Sequence, residues 1–221
     1  MFKKTLLYIL FFYALGNYYI FYSWYLGDEQ IIIEEALKLS LKSCIPMFIF
    51  IILTHYFYHT KNIDHAQVIS FPPIILLFSI NLGFFISTYN MYSLQIYNLP
   101  IFLDYFRSLT TGLILVILAI VLLYISVRQF NSYNEDPNPI SPSSRIIMKS
   151  IYQYSRNPMY LGMIIFQIGL GLMLSMLHIS FFTVLTYFLF RYFVIAPEEK
   201  YLEQKFKQDY IEYKRKVRRW F

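Results

Sequence analysis

The sequence has few charged residues and a single cysteine. Only 14% of its 221 residues are charged, whereas soluble domains average about 25%. Cys44 has no second cysteine to pair with, so the chain can form neither an internal disulfide nor a multi-cysteine metal site. His55, His59 and His65 lie close together but have only Asp64 as an acidic neighbour, and no metal site is expected.

Apolar residues dominate the chain, at 57% hydrophobic and 21% aromatic. Several apolar runs approach the roughly 20 helical residues that cross a hydrocarbon layer. We therefore predict an all-α, polytopic transmembrane protein with six spans, at residues 5–26, 41–58, 68–88, 109–127, 159–177 and 179–196. The first run stays apolar to Leu26, which favours a span over a cleaved signal peptide.

The basic residues predict an orientation. Lys and Arg gather on the cytosolic side of membrane proteins, and here they recur near residue 3, at Lys61, in the polar segment 128–158 and in the tail. Both termini are then cytosolic, whether the membrane is the inner membrane of a bacterium or the endoplasmic reticulum of a eukaryote. The net charge of +6 lies mostly in the tail rather than in a basic domain, so we expect no nucleic-acid partner.

The tail predicts an amphipathic cytosolic helix. Pro197 followed by Glu198 and Glu199 is typical of a helix start, because proline tolerates the first turn and carboxylates complement the helix dipole. An apolar stripe with helical spacing follows, formed by Leu202, Phe206, Tyr210, Tyr213 and Val217. This helix could lie on an anionic membrane surface or cap the polar segment.

Two separated motifs resemble a known family. Arg156-Asn157-Pro158-Met159-Tyr160 opens the fifth predicted span, and the glutamate pair with its stripe follows a helical hairpin. Together, over roughly residues 144–220, they resemble the isoprenylcysteine carboxyl methyltransferases and the related phospholipid methyltransferases. We accordingly divide the chain into residues 1–127, four transmembrane helices, and residues 128–221, a methyltransferase-like region.

The resemblance implies an S-adenosylmethionine site without a Rossmann sheet. Gly169 and Gly171 do not form a phosphate-binding loop, because they lie inside a span where close helix packing explains them better. By position, the resemblance assigns cofactor binding to Ile146, Ile147, Tyr152, Arg156, Asn157, Pro158, Met159, Tyr160, Glu198 and Glu199. Glu198, Glu199 and Arg191 are the catalytic candidates, of which Arg191 has no matching position in the family pattern.

The sequence departs from the family pattern at four places. Asn157 stands where histidine is frequent, Ser150 and Ile151 replace a glycine-containing turn, and Lys207 replaces a glycine. The arginine that would hold a substrate carboxylate just before the glutamates is absent, and Arg191 lies nearly two turns earlier. We nevertheless expect Arg191 to face the same cavity as the glutamates, since a charge near a span end seldom faces lipid.

The expected reaction is methyl transfer to a lipid-like acceptor at the cytosolic membrane face. The first expectation is the carboxylate of a prenylated cysteine or a similar lipophilic molecule, which is already ionised at neutral pH and needs no base. A phospholipid amine would first lose a proton, which would give Glu198 or Glu199 a base role. The alternatives are a sterol-type reductase using a nicotinamide cofactor and a membrane scaffold or transporter, for which Ser79, Asn81 and Gln167 are the mid-membrane polar candidates.

Overall fold

The computed structural model describes residues 9, 12, 33–58, 64–94 and 101–220. All regular elements within these residues are helices, which confirms the all-α class. The first predicted span, apart from residues 9 and 12, lies outside the described residues.

Nine α-helices and two short helical turns of other types follow one another in the described part of the chain. The helices are α1 Ile33–Tyr58, α2 Pro72–Ser93, α3 Ile101–Asp104, α4 Leu109–Asn131, α5 Pro158–Met173, α6 Leu177–Phe181, α7 Thr183–Phe190, α8 Ala196–Phe206 and α9 Gln208–Lys216. A 3-10 turn occupies Ser150–Gln153 and a π-helical turn occupies Arg191–Ile195.

Four helical stretches are long and apolar enough to cross a membrane. They are Ile33–Tyr56, Pro72–Asn90, Leu109–Asn131 and Leu177–Phe206. The protein is therefore an integral membrane protein, but six spans are not confirmed, because α5 has only 16 residues. α1 also begins earlier than the predicted second span, since Glu34 and Glu35 form its first turn.

Small residues allow α4 and α5 to pack closely. A Cβ atom on Gly112 of α4 would lie 2.3 Å from the backbone nitrogen of Met173, and one on Gly169 of α5 would lie 2.9 Å from the carbonyl oxygen of Gly112. A Cβ on Gly171 would lie 2.3 Å from the Ser180 hydroxyl oxygen. Gly169 and Gly171 thus serve helix packing, as expected from their place inside an apolar run.

A buried polar cluster joins α2, α5 and α7. The Thr186 hydroxyl donates to Gln167 Oε1 at 2.5 Å and lies 2.7 Å from Ser79 Oγ. Gln167 Nε2 donates to Ser79 Oγ at 3.2 Å and to the Ile179 carbonyl at 3.0 Å. Because these groups satisfy one another, the cluster stabilises helix packing.

Pro197, Glu198 and Glu199 lie in the first turn of α8, as the sequence predicted, but the chain is already helical before them. Leu177–Phe206 runs as one helical stretch, and the π-helical turn Arg191–Ile195 precedes the proline. Proline lacks an N–H, so the Phe193 carbonyl, four residues earlier, has no helical donor. The backbone N–H of Ile69 donates to that carbonyl at 3.0 Å, which satisfies it from outside the helix.

The tail is two helices rather than one. α8 ends at Phe206 and α9 begins at Gln208, with Lys207 between them at φ 46° and ψ −118°. A backbone with positive φ interrupts a right-handed helix and favours glycine. The predicted apolar stripe survives the break, because its residues on both helices pack in one cluster.

Candidate active site

The predicted site residues surround one cavity at the polar end of the helix bundle. The cavity measures about 670 Å³ including its open mouth, and it lies between residues 130–160 and the helices α8 and α9. Eight of the predicted cofactor residues line it: Ile146, Ile147, Tyr152, Arg156, Asn157, Met159, Tyr160 and Glu198. Pro158 and Glu199 are not on its wall, and the roles of all ten residues stay predictions.

Glu198 and Tyr160 meet on the cavity wall. Pro158 occupies the first turn of α5, which places Tyr160 one turn inside the helix. The Tyr160 hydroxyl donates to Glu198 Oε2 at 2.7 Å. No lysine or arginine in the described part of the chain pairs with Glu198. The cavity therefore contains a carboxylate without a cationic partner.

Glu199 has the opposite environment, because two arginines bind it. Its Oε1 accepts hydrogen bonds from Arg156 Nη2 at 2.8 Å and Nε at 3.2 Å. Its Oε2 accepts one from Arg219 Nη2 at 2.5 Å. The side chains of Glu199 and Arg156 are only 6% and 8% exposed, so this is a buried ion pair. Glu199 joins the start of α5 to the end of the tail.

Arg156 and Asn157 also hold the tail through its backbone. Arg156 Nη1 donates to the carbonyl of Val217 at 2.7 Å and to that of Lys214 at 3.1 Å, which satisfies acceptors at the end of α9. Asn157 Nδ2 donates to the Arg219 carbonyl at 3.1 Å. An amide can supply this bond without a charge, so Asn157 serves where the related family often has histidine.

The apolar stripe of the tail covers the polar segment. Tyr210, Tyr213 and Val217 are buried and pack with Ile146. The Tyr213 hydroxyl donates to the Tyr152 carbonyl at 2.6 Å. Of the two expectations for the tail helix, the geometry therefore favours a cap over the polar segment, because the stripe packs on protein.

Burial raises the pKa of Tyr152, Tyr210 and Tyr213 well above the usual value for a phenol. Charge on Glu198 adds to the shift at Tyr152, because it opposes a second negative charge nearby. These three hydroxyls therefore stay protonated and act as donors rather than bases. Hydrogen bonding to Glu199 raises the pKa of Arg219, which keeps that guanidinium charged.

Arg191 does not lie where the sequence predicted, because it does not line the cavity. Its Nη1 atom lies 3.5 Å from the Tyr187 hydroxyl, and its guanidinium lies 5.7 Å from the centre of the Tyr192 ring. Arg191 begins the π-helical turn, which changes the angular spacing between it and the glutamates that follow. The expected convergence therefore holds for Glu198 and fails for Arg191.

One wall of the cavity was missed from the sequence. It is formed by Phe130, Asp136, Pro137, Asn138, Pro139, Ser143 and Arg145. Asp136 orders this wall, since Oδ1 accepts from the Asn138 N–H at 2.9 Å and Oδ2 from the Ser141 hydroxyl at 2.6 Å. The buried Glu135 carboxylate accepts from the Ser144 N–H at 3.1 Å. The sequence signal that could have identified this wall is its run of aspartate, proline, asparagine and serine, residues that favour ordered turns.

The fold and site together define a class: an integral membrane helical protein that has a cavity at its polar end and, in the described part of the chain, helices but no sheet. Residues 107–209 match the model of the phospholipid methyltransferase family. This confirms the resemblance found in the sequence: residues 107–209 are similar to that family. The match runs from just before α4 into α9, so it includes the first motif, the glutamate pair and most of the cavity lining. Tyr210, Tyr213 and Val217 of the apolar stripe lie beyond it. No curated protein and no solved structure matches the chain.

Proposed function

We propose that the protein is a methyltransferase that uses S-adenosylmethionine to methylate a lipid-like acceptor at the cytosolic face of a membrane. The match of residues 107–209 to the phospholipid methyltransferase family supports the methyltransferase activity. The observation that carries the proposal is Glu198, a carboxylate on the cavity wall with Tyr160 as its hydrogen-bond partner and no arginine or lysine beside it. Such a group is suited to a positively charged ligand.

The other residues of the cavity fit the same cofactor. The rings of Phe130 and Tyr152 pack edge to face with their centres 5.5 Å apart, and the Tyr210 ring also lines the cavity. These aromatic rings offer surfaces on which the planar adenine of the cofactor can pack. Arg145 offers a guanidinium suited to a carboxylate. When bound, S-adenosylmethionine supplies an electrophilic methyl group whose bond to sulfur breaks as the acceptor bonds to carbon. The protein contributes mainly by holding the two reactants in line and excluding water.

Two acceptors were expected, and the surroundings of Glu198 and Arg191 favour the amine. A carboxylate acceptor would need a cation, but Arg191 does not line the cavity, and Arg156 is already occupied by Glu199 and two carbonyls. Arg145, which lines the cavity, is assigned above to the carboxylate of the cofactor. A phospholipid amine would need a base to remove its proton, and Glu198 can accept that proton. We therefore propose a phospholipid amine first and the carboxylate of a prenylated cysteine second.

A transfer experiment with labelled cofactor tests the function and separates the acceptors. Purified protein would be incubated with methyl-labelled S-adenosylmethionine and either phosphatidylethanolamine vesicles or a prenylated cysteine. We expect labelled lipid in the first sample, and at least a tenfold lower rate with Glu198→Gln, because proton removal by a general base contributes about 10²-fold or more. The control is Glu203→Gln, which changes an exposed carboxylate on the same helix and should leave the rate unchanged.

The result that would overturn the proposal is an absence of label in both lipids. A sterol-type reductase would instead oxidise a reduced nicotinamide in the presence of a sterol, so that assay belongs in the same series. Label in the prenylated cysteine alone would replace the amine with the carboxylate acceptor and would remove the base role of Glu198.

A further inference from the structure

A single hydroxyl group joins three distant segments beside the cavity. Tyr201 lies on α8, three residues after Glu198, and its hydroxyl donates to Asp64 Oδ1 at 2.9 Å. The same oxygen accepts hydrogen bonds from the Ser143 N–H and from Lys205 Nζ, both at 3.1 Å. Lys205 also forms an ion pair with Asp64. Tyr201 thus connects the loop between α1 and α2, the cavity wall and the helix that carries Glu198.

The loop at residues 64–71 also makes hydrogen bonds to the cavity wall and to the π-helical turn that precedes α8. The Ala66 N–H donates to the Pro139 carbonyl at 3.2 Å, and Pro139 lines the cavity. The Ile69 N–H donates to the Phe193 carbonyl, the acceptor left free by Pro197. Ala66 and Val68 are 1% and 2% exposed and belong to the main core. This loop therefore packs as part of the structure around the cavity.

We propose that Asp64 and Tyr201 are positioning residues, through which the N-terminal half of the protein fixes the distance between the cavity wall at residues 136–143 and Glu198. This inference rests on the proposed function. Neither residue touches the cavity itself, so both act through Ser143 and through α8. It also gives the N-terminal helices a task in the reaction, since the loop that supplies Asp64 and Ala66 connects two of them.

The wall at residues 136–143 depends on outside support. Its internal bonds, made by Asp136, set its own shape but do not set its distance from α8. Within the described residues, the hydrogen bonds from this wall to other parts of the fold are those at Ser143 and Pro139, and both end on Tyr201 or on the 64–71 loop. Loosening Tyr201 therefore widens the cavity on the side facing Glu198.

Loosening the wall should weaken cofactor binding more than it slows the chemical step. The ion pair of Asp64 is exposed, and exposed pairs contribute little energy. We therefore expect Asp64→Asn to raise the KM for S-adenosylmethionine by about threefold and to leave kcat nearly unchanged. Loss of the hydroxyl in Tyr201→Phe removes several hydrogen bonds and predicts a rise of about tenfold. A merely structural defect would instead lower the amount of active enzyme and hence the apparent kcat.

The experiment combines these kinetics with hydrogen exchange of residues 136–143 in the full-length protein without cofactor. The control is Asp209→Asn, which removes an exposed acid on α9 that has no ion-pair partner among the described residues. Rescue is tested with the reversed pair, Asp64→Lys together with Lys205→Asp. We expect faster exchange of this wall and a higher KM in Asp64→Asn and Tyr201→Phe, neither change in the control, and partial recovery in the reversed pair.

Different failures point to different errors. Unchanged exchange in Tyr201→Phe overturns the inference, as does faster exchange with an unchanged KM, while the proposed function stands in both cases. Failure of the unmodified protein to bind or use S-adenosylmethionine overturns the proposed function and this positioning role together.

Discussion

The substitution Glu199→Gln should release the tail from the cavity. Glu199 joins Arg156, at the start of α5, to Arg219, near the end of the chain, and both its oxygens accept hydrogen bonds. Arg156 is 8% exposed, so removal of its anionic partner leaves a nearly buried cation. Breaking a buried ion pair from one side costs about 3–5 kcal/mol.

We expect the lower end of that range. Arg219 is 27% exposed and can turn to water, Arg156 keeps its bonds to the carbonyls of Lys214 and Val217, and glutamine still offers one acceptor. A cost of about 3 kcal/mol corresponds to roughly a 100-fold larger population with the tail undocked. Backbone amides of α9 should then exchange hydrogen about 100-fold faster, because its buried face opens.

The assay is hydrogen exchange followed by mass spectrometry of the peptide that contains α9. Glu203→Gln is the matched control, since its ion pair with Lys214 also ties α8 to α9 but both side chains are about one-third exposed. Exposed pairs contribute about 1 kcal/mol or less, so this control should change exchange by no more than about fivefold. Equal effects of the two substitutions would refute the assignment of Glu199 as the group that docks the tail.

Two further predictions concern the backbone. Ser150 and Lys207 have φ angles of 58° and 46°, a conformation that glycine adopts with less strain. Ser150→Gly and Lys207→Gly should therefore each raise the free energy of unfolding by about 1 kcal/mol, seen as a higher midpoint of thermal unfolding. A lower midpoint would contradict the strain argument. Gly112→Ala should destabilise the α4–α5 contact by about 1–3 kcal/mol, because its Cβ would lie 2.3 Å from the Met173 nitrogen. Gly162→Ala, whose Cβ would first meet a Leu123 side-chain atom at 3.0 Å, is the milder control, and equal losses would contradict the packing argument.

The sequence predicted the helical class and most of one cavity wall. Apolar runs identify helices in a membrane protein because the bilayer requires internally satisfied backbones. The sequence placed residues 157–160 close to Glu198 because the two motifs lie at the two ends of a short helical hairpin, and the ends of a hairpin meet on the same side of the membrane. Ser150, in the turn where the related family has a glycine, and Lys207, which replaces a glycine, both have positive φ, so the backbone conformation that favours glycine is kept without that residue.

Other features could not be read from the sequence. The π-helical turn before Pro197 changes the angular position of Arg191 relative to the glutamates. It is accompanied by a backbone hydrogen bond from Ile69, a residue far away in the chain, to the Phe193 carbonyl. Glu199 binds Arg219 whereas Glu198 does not, and Arg219 reaches Glu199 only because the tail folds back onto the start of α5. The division at residue 127, the side of the membrane that each terminus faces and the partners of the protein stay predictions.

Calorimetric titration of the purified protein with S-adenosylmethionine tests the central claim most directly. We expect saturable binding with a dissociation constant in the range of about 1 μM to 1 mM that is common for enzyme ligands. Glu198→Gln should weaken it about tenfold or more, because hydrogen bonds to a charged group contribute about 1.5–3 kcal/mol, whereas Glu203→Gln should bind like the unmodified protein. No binding by the unmodified protein, or equal binding by Glu198→Gln, would contradict the claim that the cavity beside Glu198 holds this cofactor.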